Sequence, residues 1–171
     1  MNLNDLPPPE TMRAGKFVRL MRRGKWEYAS RTNNIGAVVI LAEHDGKVIL
    51  VEQPRVPPDR RCIELPAGLV GDEDPDATVE ATAIKELEEE TGFTAERIER
   101  LGEFYASPGM VSEGFTLVRA HGVRRVGEGG GTEHEEIIVH LVARADIPNF
   151  LEQKRADGFG IDVKLLIFLT Y

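Results

Sequence analysis

Glu86, Glu88, Glu89 and Glu90 crowd the last turns of a helix predicted between Asp74 and Gly92. A helix C-terminus carries partial negative charge, so each acid there costs about 0.3–1 kcal/mol. Glu86 and Glu90, four positions apart, also repel one another. A bound divalent cation reverses both penalties, and Mg²⁺ suits the purpose because it takes carboxylates together with waters and substrate phosphates. The competing interpretation is a solvated acidic face, the usual meaning of a charge block.

The helix that must position these acids is marked at both ends. Asp74 is the predicted N-cap, Pro75 fits the first helical position and Gly92 is the stop. At about 100° per residue, Ala83, Ile84 and Leu87 form an apolar stripe. Glu86, Glu89 and Glu90 lie along one edge of it, and Glu88 points to the far, solvated side. Three of the acids can therefore share one site at a core boundary.

The run Lys85-Glu-Leu-Glu-Glu-Glu-Thr-Gly-Phe93, preceded by Leu65-Pro-Ala-Gly68, resembles the Nudix box. That pattern is Gly, five residues, Glu, seven residues, then Arg-Glu-aliphatic-x-Glu-Glu-x-Gly-aliphatic. Here Lys85 stands for the Arg, which keeps the charge but loses the bidentate fork. Three extra residues separate the glycine from the helix body: Asp74 is reached counting forward from Gly68, and Ala77 counting back from Lys85. Glu73 or Asp74 is the substitute for the first Glu.

The resemblance implies cleavage of a diphosphate, whose negative charge must be offset before water attacks phosphorus. It assigns Glu86 and Glu90 as principal metal ligands, Glu89 as a third ligand and catalytic candidate, and the Ala67 carbonyl as a backbone ligand. Mg²⁺ is the implied ion, with Mn²⁺ as the alternative. Related enzymes take the general base from a mobile downstream loop. The matching segment is Thr132-Glu-His-Glu-Glu136, after the glycines of Gly127–Thr132, which are expected to form a flexible loop able to close over substrate. Glu133 and Glu135 are the candidate bases, Glu133 ranking first; Glu135 is also a candidate metal ligand.

Weaker features indicate a branch. Pro108, followed by Gly109, falls fifteen residues after Phe93, a mark of ADP-ribose pyrophosphatases in this family. Val51-Glu-Gln-Pro-Arg55 and Ile63-Glu-Leu-Pro-Ala-Gly68 resemble the same branch, in which the Arg and the Glu, here Arg55 and Glu64, line the substrate site. An N-terminal hairpin ending in Trp26-Glu-Tyr-Ala-Ser-Arg31 implies an aromatic ring for the base and an Arg for phosphate or ribose. The Gly129–Glu136 run is also similar to GDP-mannose hydrolases. The implied reaction is ADP-ribose to AMP and ribose 5-phosphate. GDP-mannose or another nucleotide sugar is the alternative substrate, and a non-catalytic nucleotide-sugar-binding regulator is the rival from another class.

The wider chain agrees with a small soluble enzyme. Its 171 residues are 42% hydrophobic and 29% charged, which suits one domain with a substantial core. A net charge of −8 argues against a nucleic-acid backbone as main partner. The single Cys62, in an apolar strand pattern, excludes an intramolecular disulfide and fits a reducing cytoplasm. The first residues read as neither signal peptide nor membrane anchor.

Residues 1 to about 14 read as a polar arm and Lys16–Arg31 as a hairpin. Strands are predicted at Gly36–Ala42, Val48–Val51, Arg61–Leu65, Ile98–Ala106, Phe115–Ala120 and Ile137–Ala143. Short helices are predicted at Pro148–Ala156 and Val163–Thr170. Strands outnumber helices without βαβ alternation, so a mixed sheet with flanking helices is expected. This is the α+β Nudix fold, an α/β/α sandwich with an N-terminal β-hairpin extension. Residues 1–34 form the arm and hairpin, with dimerisation and base contact as expected roles, and residues 35–171 form the hydrolase domain. A homodimer is expected because the hairpin would otherwise leave an unpaired edge.

Overall fold

The computed structural model describes residues 2–33, 35–72, 74–132 and 135–169. Two strands explain the layering. β4 (Ala37–Leu41) and β6 (Lys47–Arg55), with a short strand β5 (Glu43–His44) between them, are apolar on both faces, as strands covered on both sides must be. Side chains alternate along them. Val38, Ile40 and Ile49 pack with Ala83 and Leu87 of helix α1 (Val79–Thr91). Val39, Leu41, Val48 and Leu50 pack with Ile147 and Leu151 of helix α2 (Ile147–Ala156). The result is the expected sandwich, with helices on opposite faces of mixed sheets.

β7 (Arg60–Glu64) pairs with β6, and β8 (Ala67–Leu69) with β4. After α1 come β9 (Phe93–Thr94), β10 (Arg97–Phe104), β11 (Phe115–His121), β12 (Arg124–Arg125) and β13 (Ile138–Ala143), and β14 (Gly160–Ile161) follows α2. One sheet runs β10-β11-β4-β8, with β11 parallel to β4; another runs β13-β6-β7-β14, with β7 parallel to β14. β5 pairs with β6, and β12 with β9. Among the described residues no helix is long and apolar enough to cross a membrane. Cys62 is buried, and burial pushes its thiol pKa up, as befits a packing residue.

Two expectations about local structure are corrected. The N-terminal arm contains a strand, β1 (Glu10–Ala14), which joins β2 (Val18–Arg23) and β3 (Trp26–Arg31) in a three-stranded sheet. The β1–β2 ladder and the Glu10–Arg22 ion pair at 2.6 Å hold it there. Helix α1 starts later than Asp74. Its N-cap is Thr78, whose side chain accepts from the Ala81 N–H. Asp74 instead closes a local turn: its carboxylate accepts from the Asp76 N–H and its carbonyl from the Ala77 N–H, both at 3.0 Å. An aspartate can satisfy such a turn in place of a helix, so the extra residues before the helix are spent there. Gly92, at φ +74°, ends the helix as expected.

Candidate active site

Helix α1 lies against β8, and the contact is made by its acids. Glu90, only 5% exposed, accepts a hydrogen bond from the Ala67 N–H at 3.1 Å. Gly68 has no side chain because Glu86 occupies the space: a Cβ there would overlap the Glu86 carboxyl group. Glu86 and Glu90, one helical turn apart, thus both reach the backbone of the Ala67-Gly68 step. Glu89 is half-exposed and pairs with Lys85, one turn back, at 3.4 Å. Glu88 is exposed, as the helical periodicity requires.

The glycine-rich segment has a packing role in this structure. It is docked on the C-terminal end of α1. The Gly130 N–H donates to the Glu90 carbonyl and the Gly131 N–H to the Glu89 carbonyl, each at 2.9 Å. These are carbonyls that a helix end leaves without internal partners. Gly129, Gly130 and Gly131 have φ of +72°, +108° and +82°, and a Cβ on Gly129 would overlap the Thr91 backbone. The glycines therefore permit close backbone approach. Gly129→Ala is expected to cost about 2–4 kcal/mol, since backbone strain and backbone overlap act together. Chemical denaturation measures this, and a loss under about 0.5 kcal/mol would contradict it.

Beyond this docking, Glu135 turns back on the loop. Its carboxylate accepts from the Thr132 N–H at 2.9 Å and the Thr132 hydroxyl at 3.0 Å. The other candidate base, Glu133, lies outside the described residues, as do Glu73 and His134.

A cavity of about 630 Å³ unites most of the predicted site: Ala67, Glu86, Glu89, Glu90, Glu135, Arg55, Glu64 and Arg31 all line it. Arg55 binds Glu64 through two hydrogen bonds of 2.7 and 2.8 Å, and this pairing raises the Arg55 pKa. Arg31 binds Glu113 at 2.6 and 3.2 Å. Trp26, Pro108 and Gly109 are not among the residues that line this cavity. Trp26 is 49% exposed at the opposite end of β3 from Arg31. Pro108 and Gly109 sit on the exposed turn closed by the Met110 N–H to the Ser107 carbonyl, just before the lining residues Val111 and Glu113.

Gln53, Glu113 and Lys164 also line the cavity; Gln53 lies within the Val51–Arg55 motif but was not singled out, and the other two carried no motif. Gln53 was legible in principle, since strand alternation puts it on the same face as Arg55. Glu113 and Lys164 left no such signal; Lys164 is set by its ion pair with Asp162 at 2.6 Å.

The acids interact strongly. Burial, with added repulsion from Glu86 and Glu135, pushes the Glu90 pKa up to about 8, against the opposing hydrogen bond from Ala67. Among the described residues, no three His, Cys, Asp or Glu side chains are drawn together tightly enough to form a metal cluster. The donor chemistry nevertheless suits a hard divalent ion. Every candidate donor is an oxygen, and a carboxyl whose pKa is raised first by burial and then by nearby acids is a place where a cation relieves the cost of its charge.

The raised pKa carries a stability prediction. The folded state binds a proton at Glu90 that the unfolded chain releases near pH 4.5, so this contribution is present below pH 4.5 and lost as pH rises towards about 8. Without added metal, Glu90→Gln should remove a penalty on the order of 4 kcal/mol at pH 8 and leave stability at pH 5 nearly unchanged. Urea unfolding at both pH values checks this, and identical pH profiles for the two proteins would rule it out.

Residues 32–158 match the NUDIX domain family. The chain is 40% identical over 112 residues to an ADP-ribose pyrophosphatase of Bacillus subtilis, covering 61% of this chain and 58% of that protein. It is 38% identical over 171 residues to a methanol dehydrogenase activator of Bacillus methanolicus, covering 95% and 88% of the two chains. It is 38% identical over 170 residues to a GDP-mannose pyrophosphatase of Cronobacter sakazakii, covering 94% and 82%.

Proposed function

Since this chain belongs to the NUDIX domain family, we propose that it is a Mg²⁺-dependent hydrolase of nucleoside diphosphate sugars, with ADP-ribose as substrate and AMP and ribose 5-phosphate as products. The observation that carries this reading is the buried Glu90, set between Glu86, Glu135 and the Ala67 backbone on the wall of one cavity. The cavity volume of about 630 Å³ suits a small-molecule substrate.

Glu86, Glu89, Glu90 and the Ala67 carbonyl would hold the ion. When bound, it offsets phosphate charge and makes water a better nucleophile. Glu135 takes the proton of the attacking water as a P–O–P linkage breaks. Arg31 and Arg55, each oriented by a carboxylate partner, face the substrate's negative charge. Lys85 steadies Glu89 with a single point charge in place of an arginine fork.

The N-terminal sheet joins the rest of the chain through Ala29, whose N–H donates to the Met110 carbonyl at 2.9 Å and whose carbonyl accepts from Ser112 at 3.0 Å. Phe17, Val18 and Trp26 remain exposed on it. The proposal assigns residues 1–34 to homodimer formation, with Trp26 reaching a base in the partner's site, and residues 35–171 to the hydrolase. Its expected compartment is the cytoplasm.

A second reading keeps the chemistry and changes the substrate to GDP-mannose, the substrate in the name of the Cronobacter relative. A third makes the chain a regulator that binds a nucleotide sugar without cutting it, and the Bacillus methanolicus relative, named as an activator, is the observation in its favour. Parallel incubation with ADP-ribose and GDP-mannose, with Mg²⁺ and product identification, separates the three. AMP supports the first reading, GMP the second, and binding of either compound without products the third.

A further inference from the structure

We infer that Arg61, held by a buried carboxylate, is a positioning residue that fixes the loop carrying Glu135. This rests on the reading of Glu135 as the proton acceptor. The hairpin of β6 and β7 carries two arginine–glutamate pairs. Arg55–Glu64 lines the cavity, while Arg61–Glu52 does not. Glu52 is 4% exposed and receives bonds from three elements: Arg61 Nε of β7 at 2.7 Å, His140 Nε2 of β13 at 2.9 Å and Lys154 Nζ of α2 at 2.8 Å. A carboxylate so fully used is a rigid anchor, and a buried charge needs such partners.

Arg61 does more than neutralise this anchor. Its Nη2 donates to the Glu136 carbonyl at 3.0 Å, and Nη1 stands 3.5 Å from the Glu136 carboxylate. Glu136 directly follows Glu135. The other end of the segment is fixed where the Gly131 N–H meets the Glu89 carbonyl at 2.9 Å. The span carrying Glu135 is thus tied at one end to the helix of metal-ligand candidates and at the other, through Arg61, to the sheet core. A guanidinium can bridge a carboxylate and a carbonyl at once, which an ammonium does less well. Misplacing a reacting group by about 1 Å costs on the order of 100-fold.

The test compares Arg61→Ala and Arg61→Lys, each alone and combined with Glu135→Gln, in ADP-ribose hydrolysis with Mg²⁺. Each single variant should lower kcat about 10- to 100-fold with KM changed less than about threefold. In the Glu135→Gln background Arg61→Ala should add almost nothing. Guanidinium ion at low millimolar concentration should restore part of the Arg61→Ala activity. Amide exchange at Glu135 and Ile137 should quicken in Arg61→Ala, with exchange in β4 and β6 unchanged. Arg61→Lys keeps charge at Glu52 and stays interpretable if Arg61→Ala folds poorly. Wild-type kcat in both variants, or a fully additive loss with Glu135→Gln, overturns the inference. Should Glu135→Gln itself retain wild-type turnover, the loop-base reading fails, and the exchange rates alone decide whether Arg61 holds the loop.

Discussion

Glu86→Gln should lower Mg²⁺-dependent turnover by about three orders of magnitude while the protein stays folded. Glu86 lies over Gly68, one turn from Glu90, where the helix meets β8. Glutamine fills the same space but lacks the charge that holds a hard cation. A metal's contribution to offsetting transition-state charge is several kcal/mol, and about 4 kcal/mol corresponds to about 10³ in rate. The loss should appear mainly in kcat, with the apparent Mg²⁺ requirement raised. Removing one carboxylate also removes repulsion from Glu90, so the metal-free variant should be at least as stable as wild type. Turnover within about threefold of wild type would mean that Glu86 does not hold a catalytic metal.

Glu135→Gln should lower kcat by about 10²–10⁴, the range for loss of a positioned general base. Its carboxylate lines the cavity, is oriented by two bonds from Thr132 and contributes to the raised pKa of Glu90. A proton acceptor and a metal ligand are distinguished by Mg²⁺ titration. Loss of kcat at unchanged Mg²⁺ affinity marks the acceptor, whereas a parallel loss of affinity marks a ligand. Glu133→Gln is the necessary comparison, and inactivity of that variant beside a near-wild-type Glu135→Gln would transfer the role to Glu133.

The legible parts of this chain were those where local chemistry and tertiary packing agree. The period of Ala83 and Leu87 and the stop at Gly92 gave the helix face and its end. The apolar runs at β4 and β6 gave two strands buried on both sides. Asp74 misled because an aspartate serves equally well in a turn, and Thr78 takes the cap three residues before Ala81. The strand β1 was hidden in a polar segment, since every residue in it is exposed and its place depends on the partner strand. The glycines after Val126 read from the sequence as a flexible loop, and their packing role is visible only once the end of α1 is beside them. At the site, the motif located the acids and the arginine–glutamate pair of β6 and β7. Glu113 and Lys164 reach the cavity from parts of the chain distant from the motif, and nothing in their local sequence points to it.

The most direct test is a Mg²⁺ titration of chelator-stripped protein with ADP-ribose, following AMP and ribose 5-phosphate together. The account predicts negligible product without metal, saturable formation of both products in equal amounts as Mg²⁺ is added, and loss of that response in Glu86→Gln. Product formation at full rate without a divalent ion, or tight ADP-ribose binding with no cleavage at any Mg²⁺ concentration, would contradict it.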